Sequence, residues 1–236
     1  MSTPTSSSNP QDDAALQQQL NDLIAEEEGT QSQFGGWWGV FITLACVFMS
    51  LVHLYAAYDI VPTSTMRPLH VSLVLAMTFL IMPISKRYVN RIMWWDLIAA
   101  GLAIAVFFVI VSGGEDFLER NTNPIQSDIA WGVILILLIL EALRRTNGWI
   151  LLVITAAFLA YALFGNYLPE PWTHKGYSMG RLIGHMYMTL EGIYGSAMDV
   201  SSTLIILFTI FGAFLQFTGA GKFFIDWSYS VLGGKP

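Results

Sequence analysis

Residues 200–227 read VSSTLIILFTIFGAFLQFTGAGKFFIDW, and this stretch decides the fold class of the chain. Its first part stays apolar over the length that a helix needs to cross a bilayer, about 20 residues. Glycines at 212, 219 and 221 interrupt the run, and a simple anchor helix needs none of them. Transport proteins do use glycine-interrupted apolar segments, because broken helices expose backbone groups near a substrate path. The stretch therefore predicts a membrane protein whose last helix does more than anchor it.

The composition of the whole chain supports a membrane protein. Of its 236 residues 54% are hydrophobic and 12% charged, whereas soluble domains are typically about 25% charged. An aromatic content of 14% with eight tryptophans fits the interfacial belts of helical membrane proteins. A net charge of −6 argues against nucleic acid as a partner, since its binding needs a basic face. The single cysteine, Cys46, offers no disulfide, metal or redox framework and is interpreted as a small packing residue.

Five further apolar segments precede this stretch, and together they predict an all-α fold, a polytopic helical membrane protein with about six transmembrane helices. Pro68 is expected in the first turn of the second helix, a position that tolerates proline. After Ser178, an N-cap candidate, apolar residues recur at helical spacing up to Leu190. They predict an amphipathic surface helix before the sixth span. The six spans are expected at residues 37–58, 69–84, 93–111, 129–143, 149–164 and 201–217.

Lysines and arginines near the span ends predict the orientation of the chain in the membrane. Because these residues concentrate on the cytoplasmic side, the side that carries more of them is expected in the cytoplasm. The N-terminal side carries seven, which are Lys86, Arg87, Arg91, Arg144, Arg145, Lys222 and Lys235; the other side carries four, which are Arg67, Arg120, Lys175 and Arg181. The N-terminus is therefore expected in the cytoplasm. Gly219 and Gly221 then fall at the cytoplasmic end of the sixth span and are interpreted as a helix stop.

Residues 1–33 form a segment of different composition. They carry acidic residues and no lysine or arginine, and we interpret them as an acidic cytoplasmic tail without a secretory signal peptide. Asn9 and Pro10 fit the start of a short helix. This helix is interpreted either as a docking element for a protein partner or as a frayed soluble tail.

Few ionisable residues lie within the predicted spans, and each is a functional hypothesis. His53 lies in the first span and His70 begins the second at similar depth. Three interpretations are open for them: a hydrogen bond to a neighbouring helix, a proton relay, or two ligands of a haem. Glu141 precedes two arginines by three and four residues, which predicts a local ion pair at the cytoplasmic interface. Asp96 is expected to lie shallow enough to reach the lipid headgroups.

Catalytic signatures are missing from the sequence. It has no carboxylate pair, no nucleophile beside a base, no metal-spaced histidines or cysteines and no phosphate-binding glycine loop. We therefore predict no catalytic, cofactor-binding or metal site, and no enzyme.

Several short segments in the second half of the chain resemble one transporter family. They are YALFG at 161–165, Leu168-Pro169, HKGY at 174–177, EGIYG at 191–195 and FGAFLQFTGAGKFFIDW at 211–227. The chain resembles the fused permease subunit of tripartite ATP-independent periplasmic (TRAP) transporters, of the TAXI type. Residues 37–145 resemble the small membrane subunit only in span number and hydrophobicity. Gln216 and Asp199 depart from the family pattern.

The resemblance implies a division into four parts. Residues 1–33 would be the acidic tail, 34–146 a four-span scaffold like the small subunit, 147–176 a connecting helix and outer turn, and 177–236 the start of the large transport subunit. The family's hairpins and its ion and substrate sites are expected beyond Pro236. The chain would thus be an N-terminal fragment, and its substrate-binding residues stay unknown.

The resemblance also implies a function and a location. The protein would be part of a permease in the bacterial inner membrane that takes up a solute of the organic-acid type. A periplasmic solute-binding protein would deliver the solute, and a gradient of sodium ions or protons would drive symport. Its partners would be the lipid bilayer, the binding protein and the remainder of the large permease subunit, with no cofactor.

Two other interpretations stay open. A complete small carrier of another class would need a polar site at the bilayer midplane. A haem- or quinone-binding membrane anchor of an oxidoreductase would need more histidine pairs like that of His53 and His70.

Overall fold

The structure, a computed structural model, describes Leu16, Gln31, Ser32 and residues 34–233. Apart from those three positions, the predicted acidic tail and its short helix lie outside the described residues. The described part is helical and contains no strand. Its helices are α1 (Gly36–Tyr58), α2 (Thr63–Ile81), α3 (Trp94–Glu119), α4 (Gln126–Asn147), α5 (Trp149–Phe164), α6 (Met179–Met188), α7 (Ser196–Phe217) and α8 (Ala220–Leu232).

Six of these helices are long and apolar enough to cross a membrane. They are α1, α2, α4 and α7, together with α3, which a short turn extends to Thr122, and α5, which a short turn extends to Tyr167. The predicted all-α polytopic fold with an additional helix before the sixth span is therefore confirmed.

The centre of the bundle is built by α2, α3 and α4. Phe79 of α2, Ala103 and Val106 of α3 and Leu135 of α4 are almost completely buried there. Small residues such as Ala103 let membrane helices approach closely, which brings their backbones into van der Waals contact. By contrast, α1 buries only His53, and α5 buries no residue. The outer faces of α1 and α5 are thus apolar and uncovered by the described residues.

The start of α2 differs from the prediction. The helix begins at Thr63 behind Pro62, so Pro68 lies inside it and not in its first turn. The helix starts with Thr63, Ser64 and Thr65. Their polar side chains lower the mean hydropathy, so a prediction from hydrophobic residues alone leaves them out of the span. Pro68 removes one backbone hydrogen bond from the helix interior. The helix nevertheless continues because its packed face, from Met66 to Leu80, holds it in place.

The third span extends beyond its predicted end at residue 111. The backbone turns at Gly114, whose φ of 53° and ψ of −138° are not helical, and the chain continues helically to Glu119. Residues with a side chain rarely adopt a positive φ, so glycine suits this position. After the turn Phe117 packs edge-on against Tyr187, with ring centroids 5.1 Å apart.

The helix predicted after Ser178 is present as α6. The hydroxyl of Ser178 accepts a hydrogen bond from the backbone N–H of Arg181 at 3.3 Å, which confirms it as the N-cap. The apolar face, with Ile183, Tyr187 and Met188, is buried against α4 and the turn at 120–122. The helix ends at Met188, before Leu190, and it rests on protein where a surface helix would rest on lipid.

The last two helices, α7 and α8, show where Gly219 and Gly221 lie in the backbone. A π-helical turn at Ser201–Ile205 interrupts the hydrogen bonding of α7. Gly219, with a φ of 71°, ends α7 in the left-handed conformation that favours glycine. The prediction for Gly221 was wrong, because a new helix restarts at Ala220 and Gly221 lies within it.

Candidate functional site

A buried cluster of charges joins α2, α3 and α4 at the end of the bundle where α4 ends. Arg145 donates to Asp96 at 2.7 Å, and these side chains are 3% and 4% exposed. The same guanidinium donates to Glu141 and to the backbone carbonyl of Met82, and it lies 5.0 Å from the centre of the Phe79 ring. Nε and Nη1 of Arg145 therefore donate three hydrogen bonds to protein groups.

The cluster confirms one sequence prediction and corrects another. Glu141 binds Arg144 and Arg145 at 2.7 and 2.8 Å, as the spacing indicates. Asp96, expected to reach the headgroups, is instead buried and paired across helices. The partners are 49 positions apart in the chain, so helical spacing carries no signal of their contact.

A second ion pair ties α2 to the start of α7 at the opposite end of the bundle. Arg67 binds Asp199 at 2.9 Å and donates to the backbone carbonyl of Tyr194 at 2.8 Å. Asp199 was expected outside the last span, but α7 begins at Ser196 and includes it. Arg120 likewise holds Asp128 at 3.2 Å.

The two histidines are in direct contact between α1 and α2. His53 Nε2 lies 2.8 Å from His70 Nδ1, and His53 Nδ1 lies 2.7 Å from the carbonyl oxygen of Met49. His70 Nε2 in turn lies 3.2 Å from the hydroxyl of Ser201 in α7. The side chains form one hydrogen-bonded chain across three helices. We call it the histidine chain.

This geometry separates the three interpretations of the histidines. A metal ion with imidazole bonds of about 2.0 Å on opposite sides would hold the nitrogens about 4 Å apart. The observed 2.8 Å is a hydrogen bond and leaves no room for a haem iron between His53 and His70. Among the described residues no group of three or more histidine, cysteine, aspartate or glutamate side chains could hold a metal ion.

An apolar cavity of about 560 Å³ adjoins the histidine chain. Its walls come from α1, α2, α4, α7 and the loop before α7, and its polar groups are His70, Ser201 and Thr209. No other ionisable side chain lines it. The cavity therefore brings an apolar space to the contact between His70 and Ser201.

Other residues singled out in the sequence take no part in these contacts. Cys46 was interpreted as a packing residue, but the described structure leaves it exposed on α1. Glu191 is exposed in the loop before α7. Two buried tyrosines that no sequence pattern marks, Tyr187 and Tyr194, have hydroxyls with no hydrogen-bond partner among the described residues. Burial raises the pKa of both phenols above its ordinary value.

Comparison with known proteins gives one family. Residues 134–236 match the family model described as Tripartite ATP-independent periplasmic transporter, DctM component. The matched part contains every segment that carries the sequence resemblance, which confirms the similarity to a TRAP permease there; the TAXI type and the fusion stay predictions. No curated protein and no solved structure matches the chain.

The start of the family match separates the two partners of several polar contacts. It begins at residue 134, inside α4 and ahead of the predicted start of the large subunit at 177. Arg145, Asp199 and Ser201 lie within the match, whereas their respective partners Asp96, Arg67 and His70 precede it. Three polar contacts between side chains thus join the matched part to the preceding helices.

Proposed function

We propose, from the match of residues 134–236 to the DctM component, that this chain is a membrane part of a TRAP transporter permease. In this proposal residues 34–146 act as a scaffold like the small subunit, and residues 147–176 connect it to the start of the large subunit at 177–236. The scaffold braces α7. The observation that carries the proposal is the set of three buried or half-buried polar contacts between side chains of the matched part and side chains of the preceding helices.

The ion pair Arg145–Asp96 holds the proposed scaffold itself together, because both residues lie within residues 34–146. Its members are buried almost completely, and breaking such a pair leaves an uncompensated charge in a low dielectric. The two elements that it joins are therefore held in one arrangement. A moving substrate carrier needs a fixed element of this kind to move against.

The finer points of the proposal follow from the family. The permease lies in a bacterial inner membrane with its N-terminus in the cytoplasm. A periplasmic solute-binding protein delivers a solute of the organic-acid type, and a gradient of sodium ions or protons drives its symport. The exposed apolar faces of α1 and α5 meet lipid or the remainder of the permease.

An uptake assay tests the proposal. Proteoliposomes carry residues 1–236 alone or together with the rest of a DctM-type permease, and receive a TRAP-type binding protein loaded with a radiolabelled organic acid. We expect gradient-driven uptake only from the combined permease, because the substrate sites are proposed to lie outside this stretch. Uptake by residues 1–236 alone would sink the proposal.

A further inference from the structure

The hydrogen-bonding groups of the histidine chain fix where its protons lie. A backbone carbonyl only accepts, so His53 Nδ1, 2.7 Å from the Met49 oxygen, carries a proton. In a neutral His53 the other nitrogen, Nε2, is then an acceptor. His70 Nδ1, 2.8 Å away, must donate to it. His70 Nε2 is left as an acceptor, and the Ser201 hydroxyl donates to it at 3.2 Å.

All hydrogen bonds of the neutral chain therefore point in one direction, from Ser201 through His70 and His53 to Met49. In such an arrangement one acceptor, His70 Nε2, becomes open when the Ser201 hydroxyl rotates away, and this nitrogen belongs to a residue that lines the cavity. His53 is 1% exposed and has no open nitrogen. An added proton can enter only at His70.

The same positions of the heavy atoms also fit a chain with one more proton. The Ser201 hydroxyl first rotates away from His70 Nε2, and a hydronium ion that reaches this nitrogen from the cavity gives it a proton and becomes water. The Nδ1–H bond of His70 breaks as an N–H bond forms on His53 Nε2, which makes His53 an imidazolium and leaves His70 neutral. His70 Nε2 then donates to Ser201, whose own proton turns to a carbonyl of the preceding helical turn, as serine hydroxyls in helices commonly do.

A second proton is excluded by the contact between the rings. Two imidazolium ions would each point an N–H at the other across 2.8 Å. Interacting sites of this kind titrate as a pair and not as two separate groups. The pair therefore holds either no added proton or one.

The charged side chains near the histidine chain do not bind its imidazoles. On α2 the nearest charge is Arg67, which binds Asp199 of α7. On α1 Asp59 accepts from Tyr55, on α3 Asp96 binds Arg145 of α4, and Arg120 binds Asp128 of α4. In the loop before α7 Glu191 is exposed, and the buried Tyr194 keeps its proton because burial raises its pKa. Among the described residues no charged side chain forms a hydrogen bond with either imidazole.

We propose that His53 and His70 form a binding site for one proton at the contact between α1, α2 and α7, entered from the cavity through His70 Nε2. Occupancy reverses the hydrogen bond between His70 and Ser201. The site thereby couples a proton to the contact that joins the preceding helices to the family-matched part. Proton binding itself does not depend on the proposed function, and a failure of uptake would leave it intact.

The test is a pH series of nitrogen NMR spectra on the 236-residue chain in lipid nanodiscs, with ¹⁵N in the histidine rings. These spectra distinguish a protonated from a bare ring nitrogen. His174 is an internal reference with the opposite tautomer, because its Nε2 donates to the carbonyl of Tyr161 and its Nδ1 accepts from the backbone N–H of Gly176. Single glutamine substitutions at His53, His70, His174 and His185 assign the signals.

At alkaline pH we expect protons on Nδ1 of His53 and His70 and on Nε2 of His174. On acidification the signals of His53 and His70 should move together in one step, with an uptake of one proton by the pair. Protons on Nε2 of His53 or His70 at alkaline pH would overturn the proposal. So would uptake of two protons by the pair, or of none before the chain unfolds.

A serine variant keeps the test decisive if a histidine variant does not fold. Ser201→Ala removes only the hydroxyl and leaves both imidazoles in place. We expect it to retain the one-proton step of the pair and to shift the Nε2 signal of His70 alone. A Ser201→Ala spectrum identical to that of the unsubstituted chain would contradict the contact.

Discussion

The side chain of Arg145 contacts residues of three helices. It is 3% exposed and contacts Asp96, Glu141, the Met82 carbonyl and the Phe79 ring. Buried ion pairs do not always stabilise a fold relative to an apolar pair. Losing one partner is different, because the remaining charge stays buried without compensation.

The first prediction concerns this pair. Asp96→Ala should lower the free energy of unfolding by about 3–5 kcal/mol, since it strands the guanidinium of Arg145. The double variant Asp96→Ala with Arg145→Met should recover part of that loss. Glu141→Gln is the matched control, because Glu141 is the more exposed of the two carboxylates that bind Arg145, and a change of about 1 kcal/mol or less is expected. Denaturant unfolding in detergent measures all three, and equal losses in the single and double variants would contradict the assignment.

The second prediction concerns two tyrosines and alkaline pH. Burial raises the pKa of the Tyr187 and Tyr194 phenols, so the folded chain keeps protons that the unfolded chain gives up. This contribution to stability is complete below about pH 10, the ordinary pKa of tyrosine, and is lost as pH rises above it. We expect the melting temperature to fall above that pH.

Phenylalanine variants identify the groups responsible. Tyr187→Phe and Tyr194→Phe remove hydroxyls that have no hydrogen-bond partner among the described residues. At neutral pH the stability should change by about 1 kcal/mol or less. The double variant should show a smaller fall at alkaline pH; a fall as large as in the unsubstituted chain would contradict the role of these phenols.

At the scale of the elements, the packing of α6 depends on a close approach of two backbones. Gly184 of α6 lies so near the carbonyl oxygen of Asn121 that a Cβ would collide with it. A Cβ on Gly132 of α4 would likewise collide with α6, here with the side chain of Ile183. The spacing of Gly180 and Gly184 in the sequence resembles small-residue packing motifs, but only one of these glycines is in tight contact.

The third prediction uses this difference between two glycines of one helix. Gly184→Ala should loosen α6 from the turn at 120–122, because the obstacle is backbone and cannot rotate away. The new Cβ of Gly180→Ala meets Pro124 at 3.6 Å and Ile129 at 3.8 Å, which are ordinary contacts. It should leave stability unchanged or raise it by about 1 kcal/mol through helix propensity. Hydrogen exchange of the α6 amides measures both, and equal protection in the two variants would contradict the packing.

The elements also show what the sequence could and could not predict. Hydrophobic runs located all six spans, because a span needs a minimum apolar length in lipid. Ser178 and Gly219 marked helix ends through local backbone chemistry. The polar first turns of α2, the bend at Gly114 and the burial of Asp96 were not predictable, because tertiary contacts decide them. His53 and His70 were recognised, whereas their contact with Ser201 spans 131 positions and has no local signal.

At the scale of the whole molecule, the fourth prediction is the orientation. The distribution of lysine and arginine predicts residues 144–148 in the cytoplasm and residues 165–178 outside. In a Cys46→Ser background, a membrane-impermeant maleimide on intact spheroplasts should label Thr173→Cys. Asn147→Cys should react only after the membrane is opened. Both positions are exposed in the structure. The cysteine-free chain is the control, and the reverse labelling pattern would refute the orientation.

The central claim at this scale is that the helices preceding residue 134 brace the family-matched part. The claim rests on Arg145–Asp96 and Arg67–Asp199, at opposite ends of the bundle, and on the histidine chain. A brace requires that α2 and α7 keep their relative position during transport.

Cross-linking α2 to α7 measures this directly. Arg67→Cys and Asp199→Cys are joined by a short, reducible thiol reagent in the Cys46→Ser background, in a permease completed with the rest of a DctM component. Each single cysteine treated in the same way serves as control. The account predicts that uptake of the labelled solute continues at the rate of the treated controls after cross-linking. Uptake that stops on cross-linking and returns on reduction would show that α7 moves against α2, and would contradict the brace.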